Sequence, residues 1–214
     1  MRLQTLLQHR KIGLKLRHWG KQNNQKFEMN GEIKDLIAAL PPHKQLLFGV
    51  CCVKRIENNL YKFLECRDEE PAFIAASAIT DELFRGCIID YFPYIGMRFS
   101  KEEEAFIESL IPDTDEDGSK EVVFAQNAAI ALAYCIRFTK EQNSDFMNYC
   151  GLKILETVDV MAFDSKGNES SDLRILHEIA TQKKIIKLID AMENNFDETD
   201  VVALKETIMQ YAVG

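Results

Sequence analysis

Apolar side chains recur at spacings of three and four residues along most of this chain, the period of a helix with one buried face. The clearest stripe lies between Pro41 and Phe63 and includes Leu46, Val50 and Leu60. In this stripe Lys54 and Glu57 mark the polar side of the pattern. The same period returns in four further segments, at 71–92, 119–138, 144–163 and 171–192.

Prolines, glycines and capping residues predict where these helices begin and end. Pro41-Pro42 separates a predicted helix at 32–40 from one at 42–66, and Pro93 and Gly96 close a third at 71–92. A capping box from Ser100 to Glu103 starts a helix at 101–110. The remaining predicted helices are 119–140, 144–163, 171–195 and 198–212, with polar loops at 112–118 and 164–170.

Strand-like alternation is confined to residues 12–16. Helices joined by short loops bury their apolar stripes against one another. We therefore expect an all-α fold, a single-domain bundle or orthogonal array of about seven to nine helices over residues 31–214.

Residues 1–30 are expected to form a basic N-terminal arm or extension. The first 27 residues contain seven bases and no acid, and the whole chain carries a net charge of −8, so residues 28–214 carry −15. An acidic body repels phosphate, which argues against nonspecific nucleic-acid binding and favours a basic protein partner.

The six cysteines form no CxxC pair, and most of them fall on apolar helix faces. We expect free thiols and a reduced, cytoplasmic location. Residues 1–20 lack the apolar stretch and cleavage site of a secretory signal. No apolar run approaches the roughly 20 residues that span a bilayer, so no membrane association is expected.

The loop from Asp113 to Gly118 resembles the first half of a calcium-binding EF-hand, with acids at loop positions 1, 3 and 5 and glycine at 6. The glutamate required at position 12 is missing, since Phe124 stands there. A solvated connector before a helix N-terminus is the favoured interpretation, and calcium binding stays open as the alternative. No metal or cofactor is otherwise predicted.

No set of side chains at catalytic spacing was found, so we expect no enzymatic activity. The four histidines, at 9, 18, 43 and 177, form no metal motif, and His177 is expected at the surface. Cys51 and Cys52 are expected to be buried, inert thiols. Asn127, on an apolar helix, is expected to hydrogen-bond within a network that links helices, with a binding pocket as the alternative.

If a partner binds, the expected contact surface is acidic and lies on either side of residue 110. It comprises a run at the start of one helix and the loop that follows that helix: Glu102, Glu103, Glu104, Asp113, Asp115, Glu116 and Asp117.

Three segments also carry a resemblance to a known family: 48–63, 85–92 and 108–113, the last followed by the acidic loop and an alanine-rich helix. Over about residues 32–195 they resemble the YjaG-like family of bacterial proteins of unknown function. Phe92 stands where that family has tryptophan, and Asn127 where it has aspartate. The resemblance implies an all-helical cytoplasmic bacterial protein and supplies no activity or catalytic residues.

These observations favour a non-catalytic protein-interaction domain. Its partner could be a basic, nuclease-type bacterial toxin that it neutralises as an immunity protein, because an acidic surface can occupy a cleft built for phosphate. The alternative is a housekeeping YjaG-like scaffold or small-ligand-binding protein. A carboxylate-dependent enzyme is a third hypothesis. The identity of the partner and the oligomeric state are left open.

Overall fold

Nine α-helices and one short 3-10 helix, with no strand, make up the part of the chain that this computed structural model describes, residues 24–163 and 171–214. The predicted all-α fold is confirmed. The helices are α1 (Asn24–Ala39), α2 (Pro42–Glu65), α3 (Glu70–Gly86), the 3-10 helix Phe92–Tyr94, α4 (Ile95–Arg98), α5 (Lys101–Ser109), α6 (Lys120–Glu141), α7 (Asp145–Phe163), α8 (Ser171–Ala191) and α9 (Glu198–Met209).

Helices α2 and α6 pack against each other along the centre of the molecule, and α7 packs against both. Around them α3 and α9 lie on α2, α5 lies on α6, α8 lies on α7, and α1 lies on α8. The apolar stripe that predicted α2 supplies much of the core, since Leu46 and Val50 are 0% exposed and Leu60 is 2% exposed.

Most predicted helix ends agree with the structure to within a few residues, and the local chemistry explains why. The Ser100 hydroxyl accepts the Glu103 N–H at 3.1 Å while the Glu103 carboxylate accepts the Ser100 N–H at 2.8 Å, so the predicted capping box at α5 is confirmed. Helix α6 ends at Glu141, and the next residue, Gln142, caps it in the left-handed conformation (φ 49°) with its N–H donating to the Phe138 carbonyl.

The predicted helix at 71–92 is too long. The pattern at 71–92 predicted a single helix, but α3 ends at Gly86, and the chain turns before the 3-10 helix and α4. Pro93 has no N–H to continue a helical ladder. Gly86 also lies so close to the Ile95 side chain that a Cβ built on it would be 2.2 Å away. The tertiary contact between α3 and α4 therefore overrides the continuous period.

Helix α1 begins at Asn24, eight residues earlier than the predicted start at 32. The predicted strand at 12–16 and the predicted loop at 164–170 lie outside the described residues.

In the described part of the chain, α6 is long and apolar enough to cross a membrane by length and composition alone, which the sequence pattern did not anticipate. Most of its apolar stretch is buried against the other helices, as in the core helix of a globular domain, so this is weak support for a membrane span.

Candidate partner-binding surface

The acidic run expected to contact a partner occupies the first turn of α5. Glu102 is exposed there, whereas Glu103 and Glu104 are half-buried. Glu103 serves the capping box, and Glu104 forms an ion pair with Lys140 of α6. Two of the three carboxylates are thus already engaged within the chain, and Glu102 is the most accessible to a partner.

The loop after α5 holds its shape with its own carboxylates. The Asp113 carboxylate accepts the Asp115 N–H at 2.8 Å, and the Asp117 carboxylate accepts the Ser119 N–H at 2.9 Å. Gln126 of α6 anchors the loop by donating to the Pro112 carbonyl at 2.7 Å. The loop is therefore built to a defined conformation in which its acidic side chains stay exposed.

A groove of about 270 Å³ runs between this loop and the end of α2. Phe63 and Ile111 supply apolar wall, and Asp113, Glu116 and Asp117 supply acidic rim. We call it the acidic groove. Its described lining holds one base, Arg67, whose guanidinium lies 5.2 Å above the Phe63 ring and pairs with Glu69 at 2.9 Å. Two further lining side chains are Leu110 and Val122.

The structure does not bring the seven predicted acids together. Helix α5 spans Lys101–Ser109, so at a rise of about 1.5 Å per residue Glu103 lies about 9 Å along the axis from the last residue before the loop. Glu104 instead lines a second groove, of about 360 Å³, between α5 and α6. Two of the three acids that line it are paired within the chain, Glu104 with Lys140 and Glu108 with Arg137 at 2.6 Å. The half of the predicted surface that lies in the loop borders the acidic groove.

No group of three or more histidine, cysteine, aspartate or glutamate side chains in the described ranges is arranged to hold a metal ion. In the EF-hand-like loop, two of the carboxylates that would face a cation accept backbone N–H groups instead. Phe124, at the position of the missing glutamate, is half-buried on α6. The loop therefore has the geometry of a connector between two helices whose own carboxylates accept its backbone N–H groups.

Two predictions about buried polar and sulfur groups are confirmed. The amide of Asn127, 2% exposed, donates to the Thr157 hydroxyl at 3.2 Å, which links α6 to α7 as an internal hydrogen bond. Cys51 and Cys52 are buried, and burial raises the pKa of both thiols, so neither is a ready nucleophile. All six cysteines are unpaired.

The sequence analysis missed a buried ion pair. Arg55 of α2 donates from both terminal nitrogens to the Glu178 carboxylate of α8, at 2.8 and 2.6 Å, and Gln182 donates to the same carboxylate at 2.9 Å. The spacing of Arg55 in the sequence could have predicted its burial. Its position falls at helical spacing within a series of buried residues on α2, namely Phe48, Cys52 and Asn59. Glu57, taken as part of the polar face, is likewise only 4% exposed.

No protein-family model and no curated protein matches the sequence. A solved structure does match: a DUF416 family protein from Shewanella baltica OS155, determined at 1.91 Å resolution. The two share a TM-score of 0.67 at 14% sequence identity, over 85% of this chain and 97% of the other. The likeness shows the fold. The family named for that structure is said of that protein, and membership of this chain in the YjaG-like family is not confirmed.

Proposed function

We propose that this protein is a non-catalytic protein-interaction domain that binds a basic partner through the acidic groove. The observation that carries the proposal is the groove itself, an apolar wall bordered by Asp113, Glu116 and Asp117. Protein interfaces combine an apolar centre with a polar rim in this way. A partner that presents lysine or arginine beside an apolar side chain fits it.

The class of partner that we propose is a nuclease-type toxin domain, which the protein would neutralise as an immunity protein. Such domains carry basic clefts that bind phosphate, and an acidic rim competes for the same cleft. The net charge of −8 supports fast association, since opposite fields steer two proteins together over about one Debye length.

The test compares three forms of the full chain as immobilised bait in extracts of the organism of origin. The first is wild type. The second, the rim variant, is Asp113→Asn/Glu116→Gln/Asp117→Asn, in which the asparagines keep the oxygen that accepts a loop N–H. The third removes the same charge from exposed acids elsewhere, as Asp35→Asn/Glu193→Gln/Glu206→Gln.

We expect a stoichiometric basic protein on the wild-type and control baits and little on the rim variant. With the purified partner, the wild-type association rate should fall as salt rises from about 0.1 M to 1 M. Inhibition of a nuclease activity of that partner would support immunity. A partner that is acidic, or that the rim variant retains in full, would contradict the proposed surface.

A further inference from the structure

The one base in the described lining of the acidic groove already occupies part of that groove. Arg67 stands there beside four acids, and its guanidinium carbon lies 5.2 Å from the centre of the Phe63 ring. Arg67 Nε also donates to the Glu69 carboxylate at 2.9 Å. The groove therefore holds, from its own chain, a guanidinium that is stacked on an aromatic ring and paired with a carboxylate.

The ring and the backbone beside it are set in fixed positions. Phe63 is half-buried near the end of α2 and packs against the core. After α2 ends, Asp68 takes the left-handed conformation (φ 57°), and the Glu69 N–H returns to the Leu64 carbonyl at 2.9 Å. This hydrogen bond closes the helix end in the manner of a Schellman motif. A cation that enters the groove therefore meets a preformed aromatic face.

The Arg67 side chain is held much less firmly than the ring below it. It is 59% exposed, and the Glu69 side chain with which it pairs is 41% exposed. Ion pairs and cation–π contacts at exposed positions stabilise a fold only weakly. A cation that a partner brings into the groove can therefore displace Arg67 at small cost, because the released guanidinium returns to water.

Arginine suits this position better than lysine. A guanidinium is planar and weakly hydrated, so it can lie flat on a ring while its edge binds a carboxylate through two nitrogens. An ammonium group is compact and strongly hydrated, and it gains less from the face of a ring. Asp113 and Glu116 border the same groove and are exposed, so carboxylates for an incoming guanidinium are present.

We propose that the Phe63 face of the acidic groove is a subsite for an arginine side chain of the protein partner, and that Arg67 fills this subsite until the partner binds. The inference rests on the function proposed above. It adds to that function a preference for arginine over lysine and an internal competitor in the free protein. Because Arg67 and the incoming arginine carry the same charge, they compete for the aromatic face.

Two peptide amides of equal charge, six arginines and six lysines, test the preference by calorimetric titration into the full chain at about 0.1 M salt. We expect wild type to bind the arginine peptide about two- to fivefold more tightly, the range of one exposed cation–π contact. Phe63→Leu keeps an apolar wall without a ring, and it should remove most of this preference. Tyr211→Leu is the matched control, since it removes a half-buried ring that lies under Lys184, and it should keep the preference.

A second variant tests the internal competitor without changing the charge of the groove. Arg67→Lys keeps the positive charge and removes the planar group, so it should tighten binding of the arginine peptide about two- to fivefold and affect the lysine peptide less. Arg85→Lys is the matched control. Arg85 also stacks on an aromatic ring, Tyr91 at 5.7 Å, and pairs with Glu198, but it lies outside the groove lining. This change should alter neither affinity.

Three results would overturn the arginine subsite: equal affinity of wild type and Arg67→Lys for the arginine peptide, a preference that Phe63→Leu leaves intact, or no binding of that peptide at about 1 mM. The rim variant separates this failure from failure of the proposed function. If it loses both peptides while wild type binds both equally, the groove binds basic ligands and only the arginine subsite is wrong. If it binds both peptides as tightly as wild type, the proposed surface itself is wrong.

Discussion

Arg55 is a charged side chain in the centre of the molecule, 2% exposed, and its partners come from distant parts of the chain. Besides the Glu178 carboxylate, it donates from Nε to the Tyr211 carbonyl at 2.8 Å, and its own carbonyl accepts the Val213 N–H at 2.8 Å. It therefore fixes α2, α8 and the C-terminal segment relative to one another. A buried ion pair offsets the loss of water only when the geometry is this complete.

Replacing one partner of the Arg55–Glu178 pair should destabilise the fold more than replacing both partners. We expect Arg55→Met and Glu178→Met each to lower the free energy of unfolding by about 3–5 kcal/mol, because each leaves an uncompensated buried charge. The double variant should cost less than either single change, as measured by urea denaturation. A double variant whose loss equals the sum of the two would contradict this account.

His43 is a second buried ionisable group, 5% exposed, and in the described part of the chain it forms no ion pair. Its ring lies 5.6 Å from Phe196 and 6.1 Å from Phe92, centroid to centroid, and its Nε2 has no hydrogen-bond partner among the described residues. Burial lowers the pKa of His43, the nearby Lys44 lowers it further, and a hydrogen bond to the Asn194 backbone opposes the shift. The folded protein thus holds a neutral imidazole.

This arrangement predicts a loss of stability in mild acid. Because the pKa of His43 is lower in the folded chain, as pH falls through about 6.5 the unfolded chain binds this proton more fully than the folded chain, so unfolding takes up protons and stability falls. His43→Phe should remove that part of the dependence of melting temperature between pH 7.5 and 5.5. His177→Gln, at an exposed histidine, is the control and should keep the wild-type dependence. Equal slopes for wild type and His43→Phe would contradict the prediction.

At the scale of elements, the close approach of neighbouring backbones decides where a helix ends, which the periodicity of the sequence does not show. Glycines at 86 and 96 let α3, α4 and α6 approach one another without a Cβ between them. This packing divides the predicted helix 71–92 into α3 and the separate short helix α4. A helical period records which side of an element is apolar, and carries no information about how near a neighbouring backbone will lie.

Two glycine substitutions distinguish the effect of close backbone packing from the effect of the low helix propensity of glycine. Gly96→Ala should destabilise the fold by about 1–3 kcal/mol, because its Cβ meets a backbone oxygen that cannot rotate away. Gly31→Ala should stabilise it by about 0.5–1 kcal/mol, since Gly31 lies inside α1 with nothing within 4 Å of a Cβ. Thermal unfolding followed by circular dichroism measures both. A neutral Gly96→Ala would refute the close packing.

At the scale of the whole molecule, five of the six thiols lie in one continuous core that joins α2, α6 and α7. The Cys135 and Cys150 sulfurs are 3.8 Å apart across the α6–α7 contact, and burial raises the pKa of both. Cys66, at the end of α2, is exposed. Because a single core opens as a unit, the buried thiols should react only after global unfolding.

Thiol titration with a disulfide reagent should therefore count one reactive group in the native protein and six after denaturation, both without reductant. The five slow thiols should react with a common rate constant that follows the unfolding rate in urea. Cys66→Ser, which should reduce the native count to zero, identifies the fast thiol. Early reaction of any buried cysteine would indicate local opening of its helix.

The candidate surface was only partly predictable from sequence. The acids of the loop at 113–117 are exposed as expected, because short charged side chains near a helix N-terminus are stable in water. Sequence could not show that Glu104 pairs with Lys140, or that Phe63 and Ile111 complete a groove beside the loop. Those contacts join residues from different helices.

The sequence by itself determined the all-α architecture, most helix ends and the buried state of Cys51 and Asn127, because these depend on local period, capping and polarity. Only the tertiary structure decided that Arg55 meets Glu178, that α3 stops at Gly86, and that Glu104 and Glu108 pair with bases of α6. The physical reason is that local rules act over one or two helical turns. Ion pairing, close packing and exposure depend on which helix lies opposite, and that arrangement is set by the packing of the whole chain.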